Sequence, residues 1–128
     1  MRKPETKAAS GRWGNMPRSG FAFVLLAVLA TSGCAGSFGA GVRDYDHGLY
    51  PEALDELRAA ECDAQAWRSY DRARYALYRG LTHLALGARP AAVYWLTQAK
   101  RAADESPTLL SDEDAGRLAS AWSHLPAE

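Results

Sequence analysis

The run Ala64-Gln-Ala-Trp-Arg-Ser-Tyr-Asp-Arg-Ala-Arg-Tyr-Ala-Leu-Tyr-Arg-Gly-Leu-Thr-His-Leu-Ala-Leu86 is the longest stretch of helical periodicity in the chain. At 100° per residue, its small and apolar residues fall within about 40° of one direction. These residues are Ala66, Tyr70, Ala73, Leu77, Leu81 and Leu84. The stripe continues over about six turns of 3.6 residues and therefore predicts a long helix at the centre of the domain. Gly87 ends this helix, and Pro90 opens the next one after so short a turn that the two must run antiparallel.

The rest of the chain after residue 41 predicts further helices and no strand. A short helix is expected over residues 42–47, and a second opens at Pro51, with Asp63 as the N-cap of the long run that follows. The last helix begins at Ser111, whose hydroxyl is expected to cap it together with Asp114 three residues on. Each of the four flanking helices is predicted to turn one apolar face inward. In chain order these faces carry Val42 and Tyr45 in the first helix, Ala53, Leu54, Leu57 and Ala60 in the second, Ala92, Leu96, Ala99 and Ala103 in the helix after Pro90, and Leu118, Trp122 and Leu125 in the last. The fold class predicted is all-α.

A different pattern precedes the helices. Ten apolar residues, Phe21 to Ala30, are followed by three small residues and Cys34. Ten helical residues reach only about 15 Å, half of the hydrocarbon core of a bilayer, so a membrane-spanning helix is not expected. The first twenty residues carry five basic side chains and one acidic one, a net charge of +4. A basic flank, a short apolar core and a small-residue end are typical of a secretory signal peptide, and a start at Met16 would give the flank a more usual length.

The segment Thr31-Ser32-Gly33-Cys34 resembles the lipobox of bacterial lipoproteins, in which the cysteine thiol is alkylated with a diacylglyceryl group and the chain is cut just before it. The resemblance implies a signal peptide over residues 1–33, cleavage between Gly33 and Cys34, and a lipid on Cys34 that holds the protein to a membrane. Thr31 departs from the family, which usually has leucine or a relative there. The alternatives are a plain signal peptide cut elsewhere, or a buried cysteine after an ordinary apolar helix.

Cleavage before Cys34 would leave 95 residues with a net charge of −4, enough for one small domain and too acidic for a general nucleic-acid binder. The Gly-rich residues 34–41 predict a flexible tether, and residues 42–128 the helical domain. Ala35 stands where many lipoproteins of the inner membrane have aspartate, which favours the outer membrane, facing the periplasm; the inner membrane and the cell surface stay open. Cys62 is expected to be buried, or else available for an intermolecular bond. No nucleotide, metal or nucleophile motif occurs, so neither a cofactor nor an enzymatic activity is expected.

Two segments resemble each other at an offset of 39 residues: Gly48-Leu-Tyr-Pro-Glu-Ala-Leu-Asp-Glu-Leu-Arg-Ala-Ala60 and Gly87-Ala-Arg-Pro-Ala-Ala-Val-Tyr-Trp-Leu-Thr-Gln-Ala99. Glycine, proline, alanine, leucine and a second alanine recur in register. This pattern is similar to the tetratricopeptide repeat, a helical hairpin of about 34 residues that stacks into a solenoid. The resemblance covers residues 42–104. It implies that small residues at Gly80 and Ala92 let the two helices of a hairpin pack closely, and that the last helix is a cap.

The long helix departs from the repeat family at three positions. The family's first-helix aromatic, leucine and tyrosine positions fall on Ala76, Arg79 and His83. The periodic stripe instead turns Arg79 and His83 outward. We predict the outward orientation, because burying an unpaired arginine is costly. Trp67 and Tyr78 flank the stripe and are expected to pack against the first helices.

An arginine strip lies opposite the stripe: Arg68, Arg72 and Arg79 fall within about 40° of one another, with Tyr75 beside them. The strip is either an ordinary solvated helix face or a basic surface for an anionic partner. Tyr94 also points outward in the next helix, and exposed aromatic residues near arginine are typical of binding hot spots. These five residues are the candidate partner-binding residues.

The sequence therefore predicts a small lipoprotein that acts as a non-catalytic protein–protein interaction scaffold in the cell envelope. By analogy with other small repeat lipoproteins, it would assist the assembly of pili or outer-membrane machines. The alternative is an envelope protein that binds an anionic ligand or a cell-wall polymer on the arginine strip.

Overall fold

The computed structural model describes residues 37–125, which form five α-helices and two short 3₁₀ segments without any strand in that range. The helices are α1 (Ser37–Asp46), α2 (Tyr50–Ala59), α3 (Ser69–Ala85), α4 (Arg89–Glu105) and α5 (Asp112–Ser123), and the 3₁₀ segments are Ala60–Ala66 and Pro107–Leu109. The prediction of an all-α domain is confirmed for this range. The chain divides into residues 1–33 and 34–128, and every described residue belongs to the second unit. The predicted signal peptide, Gly33 and Cys34 lie outside the described residues.

Two glycine turns close the first two hairpins in the same way. Gly48 and Gly87 both have a φ of +76°, a left-handed conformation that side chains disfavour. In both turns the glycine N–H donates to the carbonyl three residues back, and the next N–H donates to the carbonyl five residues back, at 2.8 to 3.1 Å. These bonds satisfy the last carbonyls of the first helix and reverse the chain. Pro51 and Pro90 then occupy the first turn of the second helix, as predicted.

A glycine in the first helix of each hairpin lies against a leucine in the second. A Cβ atom added to Gly41 would lie 2.7 Å from Cγ of Leu57, and one added to Gly80 would lie 2.6 Å from Cγ of Leu96. Both leucines are fully buried, and the two pairs are related by the same offset of 39 residues. The repeat seen in the sequence therefore extends into the first helix of each hairpin, where a glycine meets a leucine of the second helix in both.

Helix α1 corrects the prediction of a flexible tether. The tether was expected over residues 34–41, but residues 37–41 are the first half of α1. Gly41 is buried against Leu57, and the ring of Phe38 stacks on Trp67 with centroids 5.3 Å apart. Glycine is here a packing requirement, since a side chain at position 41 would clash with α2.

Helix α3 begins at Ser69, five residues later than the periodicity predicts. Residues 60–66 form a 3₁₀ segment, and Trp67 and Arg68 are extended. The Trp67 ring packs against Phe38 and Tyr75, with centroids 5.3 Å from each. We infer that this tertiary contact keeps the backbone extended where the local pattern favours a helix.

The late start of α3 changes the burial of several predicted residues. Ala73, Leu77 and Leu81 are buried and Leu84 is half-buried, as the stripe predicts, but Ala66 and Tyr70 are exposed because they precede or begin the helix. Asp63 lies within the 3₁₀ segment and does not cap α3. Cys62, in the same surface segment, is exposed, so the expectation that it is buried was wrong.

Helix α5 packs against both α3 and α4. The Ser111 hydroxyl accepts a hydrogen bond from the Asp114 N–H at 3.1 Å, which confirms that Ser111 caps the helix. The Asp114 carboxylate does not complete the predicted capping box, because it accepts from Tyr78 and Arg74 instead. Leu118 is buried and Leu125 half-buried, as expected, but Trp122 is 37 % exposed and Ala121 takes the inner position. The orientation of Trp122 was predicted wrongly. The buried face of α5 includes Asp114 and Ala121, and Trp122 lies beside this face.

Candidate functional site

The arginine strip predicted on α3 is divided between the surface and the interior. Arg68 and Arg72 are exposed, as expected. Arg79 is only 6 % exposed and Tyr75 only 3 % exposed, so the prediction of an outward Arg79 with Tyr75 beside it was wrong. The described structure thus contains no continuous strip of these three arginines on the surface.

Arg79 is buried because its own helix and two distant elements together supply its partners. Its Nη1 donates to Oε2 of Glu61 and to the Tyr75 hydroxyl, at 3.0 and 2.8 Å. The guanidinium also lies 4.6 Å from the ring centroid of Trp95 on α4. The Tyr75 hydroxyl in turn donates to the Leu57 carbonyl at 2.9 Å. The cost of burying an arginine is met by a carboxylate, a hydroxyl and an aromatic face that helical periodicity cannot reveal.

His83, one turn after Arg79, is also buried instead of exposed, which corrects the second outward prediction. Its Nδ1 and the Nε of Arg79 have no hydrogen-bond partner among the described residues. Burial lowers the pKa of His83, and the positive charges of Arg79 and Arg58 lower it further. The neutral imidazole is therefore the form that this site favours.

A groove between α3 and α4 brings together three of the predicted site residues. Arg72, Tyr75 and Tyr94 line a cavity of about 310 Å³, with Glu61 and Trp95 on its other walls. We call this cavity the α3–α4 groove. It adjoins a second cavity of about 540 Å³ that runs toward Glu105, and the two share the lining residues Arg72, Ala76 and Gln98. The groove therefore follows the outer seam between the two helices.

The outward orientation of Tyr94 is confirmed, since 57 % of the residue is exposed. Its ring meets that of Trp95 edge to face, with centroids 5.2 Å apart. Sequence reasoning missed Glu61 and Gln98 as site residues. The i, i+4 spacing of Tyr94 and Gln98 could have placed both on one helix face, whereas nothing local connects Glu61 to Arg79, which lies 18 residues further along the chain.

The chemistry that this groove offers is binding. Arg72 has no carboxylate within 4.0 Å among the described residues, so its guanidinium is available to accept a carboxylate in a bidentate pair. Gln65 and Gln98 add amide donors and acceptors, and the exposed ring of Tyr94 adds apolar contact area. Glu61 and Glu105 stand toward opposite ends. An occupant would therefore need a negative group in the middle and polar groups along a narrow, partly apolar body.

Another groove, separate from both of these cavities, lies between the ends of α1, α3 and α5. Its volume is about 540 Å³, and Leu81, Leu84 and Arg117 are among its lining residues. Arg117 is already engaged by Asp46 and Glu113, with both nitrogen–oxygen distances at 2.8 Å. Arg117 holds α5 to α1, and because its charge is already neutralised, this groove is a weaker candidate for partner binding than the α3–α4 groove.

A buried carboxylate ties α5 to α3, and the sequence did not reveal its burial. Asp114 accepts hydrogen bonds from the Tyr78 hydroxyl at 3.1 Å and from Nε of Arg74 at 3.0 Å. Tyr78 is buried and Trp67 half-buried beside the first helices, where both were expected. The Asp114 cluster is a structural junction that fixes the end of the domain.

Over residues 37–125, no group of three or more potential ligand residues is placed to hold a metal ion, and no helix combines the length and apolar character needed to cross a bilayer. Comparisons with protein-family models, with curated proteins and with solved structures give no match.

Proposed function

We propose that this protein is a lipid-anchored, non-catalytic scaffold that binds a protein partner through the α3–α4 groove. One observation carries the proposal: Arg72, exposed and with no carboxylate within 4.0 Å among residues 37–125, and a 57 % exposed Tyr94 line the same groove on a frame of packed hairpins. Arginine and tyrosine are enriched among the residues that contribute most binding energy at interfaces. A partner segment with a carboxylate near its centre would satisfy Arg72.

The structural repeat supports a tetratricopeptide-like architecture for this scaffold. The matched turns at Gly48 and Gly87, and the matched glycine–leucine contacts, are what a stacked helical-hairpin unit requires. The offset of 39 residues is longer than the roughly 34 of the family. Helix α5 follows as a capping helix: its inner face carries Leu118 and Ala121, and its other side exposes mostly small and polar residues together with Trp122.

We propose further that Cys34 carries the lipid and that Gly33 precedes the cleaved bond. Two or three acyl chains on one cysteine hold a protein stably to a membrane, whereas a single chain binds marginally. The outer membrane, facing the periplasm, is the proposed location. The Cys34→Ser variant should fail to incorporate labelled fatty acid and should keep an uncleaved leader, whereas the unaltered chain should be both labelled and cleaved. The lipid anchor is refuted if the native chain begins elsewhere than at an acylated Cys34.

The alternative, an envelope protein for an anionic ligand or cell-wall polymer, relied on the whole arginine strip. Arg79 is paired with Glu61 inside the domain, which leaves Arg68 and Arg72 as the exposed members. Two exposed arginines are a weak site for a polyanion, so we propose protein binding as the use of the groove.

A photo-crosslinking amino acid at position 98, on the groove wall, tests the proposal in the full-length chain expressed in cells. We expect capture of a protein, loss of that capture in the Arg72→Glu variant, and unchanged capture in Arg101→Glu. Arg101 is the matched control because it is exposed on α4 and does not line the groove. Capture that survives Arg72→Glu refutes the groove as the contact, and capture of a glycan supports the alternative function.

A further inference from the structure

Helix α1 leaves very little chain between the folded domain and the proposed lipid anchor. The helix begins at Ser37, the third residue after Cys34. Three residues reach at most about 11 Å when they are fully extended. The polar headgroup layer on each side of a bilayer is itself about 6 Å thick. A lipid on Cys34 would therefore hold the start of α1 at the headgroups.

The start of α3 lies at the same end of the domain as the start of α1. The ring of Phe38, in the first turn of α1, stacks on the ring of Trp67, which stands two residues before α3, with centroids 5.3 Å apart. Both residues are half-buried, so part of each ring is accessible. Tyr70, in the first turn of α3, is 43 % exposed. The starts of these two helices together carry three aromatic side chains with accessible surface.

Two exposed arginines near the same end have no carboxylate partner. Arg43 and Arg68 form no ion pair within 4.0 Å among residues 37–125. Nη1 of Arg43 lies 3.7 Å from the position of a Cβ atom on Gly39, so this side chain extends back toward the start of α1. Asp71 is the one acidic residue in the first turns of α1 and α3, which leaves a positive excess. We call this surface the α1–α3 end; it consists of Phe38, Arg43, Trp67, Arg68 and Tyr70.

This combination of side chains suits a lipid surface. Tryptophan and tyrosine concentrate at membrane–water interfaces, because each has an apolar ring and a polar group that prefer opposite sides of the boundary. Arginine can lay its apolar stem along such a surface and place its guanidinium among anionic phosphates. No residue of the α1–α3 end lines the α3–α4 groove or the cavity that adjoins it. A membrane contact at this end therefore requires none of the residues proposed to bind a protein.

We propose that the α1–α3 end is a membrane-contact surface, on which the accessible ring edges enter the headgroup layer and the two arginines face lipid phosphates. The proposal rests on the lipid anchor at Cys34 proposed above. It goes further than the anchor, because a lipid alone does not determine which side of the domain meets the membrane. The contact fixes the orientation in which the domain presents its α3–α4 groove.

Quenching of tryptophan fluorescence by brominated lipid tests the contact. The full-length chain is expressed in cells, purified in its processed and acylated form, and reconstituted into vesicles of phosphatidylethanolamine and phosphatidylglycerol. The lipids carry bromine near the headgroup end of their acyl chains. Trp67 belongs to the α1–α3 end, and Trp122, 37 % exposed on α5, is the matched control.

Bromine should quench the emission of the unaltered chain. The Trp67→Phe variant should lose most of this quenching, and the Trp122→Phe variant should keep it. Phenylalanine retains a ring against Phe38, and an unchanged circular dichroism spectrum checks the fold. Quenching that survives in Trp67→Phe, or that is lost equally in Trp122→Phe, overturns the proposal.

Charge reversal gives a second measurement that retains every tryptophan. Arg68→Glu places a negative charge against phosphatidylglycerol and should lower the quenching at least about twofold. Arg89→Glu should leave the quenching unchanged. Arg89 is the matched control, because it is exposed and begins α4 at the other end of the α3–α4 hairpin. Equal quenching in the two variants counts against the proposal.

Mass spectrometry of the reconstituted chain separates the failure of this proposal from the failure of the lipid anchor. A chain without acyl groups refutes the anchor and the contact together, whereas an acylated chain that bromine does not quench refutes the contact alone. A photo-crosslinking amino acid at position 70 in cells should capture phospholipid. Capture of a protein there in place of lipid refutes the membrane contact.

Discussion

The contact between Gly80 and Leu96 predicts that adding one methyl group to α3 destabilises the domain. A Cβ atom at position 80 would lie 2.6 and 2.7 Å from Cγ and Cδ2 of Leu96, and 3.0 Å from its backbone nitrogen. The leucine is fully buried, so its side chain has little room to move, and the backbone nitrogen has less. The Gly80→Ala substitution therefore forces α3 and α4 apart.

The magnitude follows from two opposing effects. Overpacking a core by one methyl group costs about 1–3 kcal/mol, and we take the upper value of about 3 because the clash includes backbone. Alanine is favoured over glycine inside a helix by about 1 kcal/mol. Gly80→Ala should therefore lower the free energy of unfolding by about 2 kcal/mol.

Gly116 provides the matched control. It lies inside α5, but a Cβ atom added there meets nothing within 4 Å. The Gly116→Ala substitution keeps the gain in helix propensity without a clash, and we expect it to stabilise the domain by about 1 kcal/mol. The same chemical change should thus have opposite signs in two helices of one protein.

Urea unfolding followed by circular dichroism measures both variants, with equal slopes required before the midpoints are compared. A double-mutant cycle identifies the atom responsible. Leu96→Ala alone should cost about 2–5 kcal/mol. In the Gly80→Ala background it should cost clearly less, because it removes the clashing side chain. The reasoning is refuted if Gly80→Ala and Gly116→Ala shift the midpoint in the same direction.

Three further predictions concern polar residues. Burial lowers the pKa of His83 below that of an unfolded histidine, so folding favours the neutral form. The free energy of unfolding should be constant above about pH 6.5 and decrease as the pH falls further. Urea titrations at several pH values should show a smaller decrease in the His83→Gln variant. Asp114→Ala leaves the buried Tyr78 hydroxyl without its acceptor and should lower the free energy of unfolding in urea by about 3 kcal/mol. Asp112→Ala, two residues earlier and exposed, should lower it by well under about 1 kcal/mol. Ser111→Ala removes the cap of α5 and should cost about 1 kcal/mol, visible as a lower melting temperature; an unchanged melting temperature would contradict the capping role.

The helical stripe predicted the burial of Ala73, Leu77 and Leu81 in α3, but residues 75–83 are buried on every side of the helix, and the stripe failed at Arg79 and His83 among them. Helical periodicity assigns polar residues to the solvent-facing side of a helix, and Arg79 and His83 are polar, so both were predicted to be exposed. Arg79 is inside because Glu61 and Trp95, from two other elements, meet its charge. A pattern within one helix contains no information about such partners. The candidate groove was missed for the same reason, although Arg72 and Tyr94 were identified one by one.

The repeat was recognised in part. Glycine and proline at the turns act on their own residues and neighbours, so the matched turns were predictable from the 39-residue offset. Gly41 was assigned to a flexible tether because a Gly-rich segment has no helical preference of its own. Only its contact with Leu57 shows that the glycine serves close packing.

The sequence by itself determined that this domain is helical, where its hairpins turn, and that Ser111 caps the last helix. Each of these depends on interactions between residues a few positions apart, which apolar periodicity, glycine, proline and a capping hydroxyl express directly. The tertiary structure alone decided where α1 and α3 begin, that Arg79 lies inside, and that Arg72 and Tyr94 share a groove. Those outcomes depend on contacts between distant residues, whose free energy exceeds the weak local preference of any single segment.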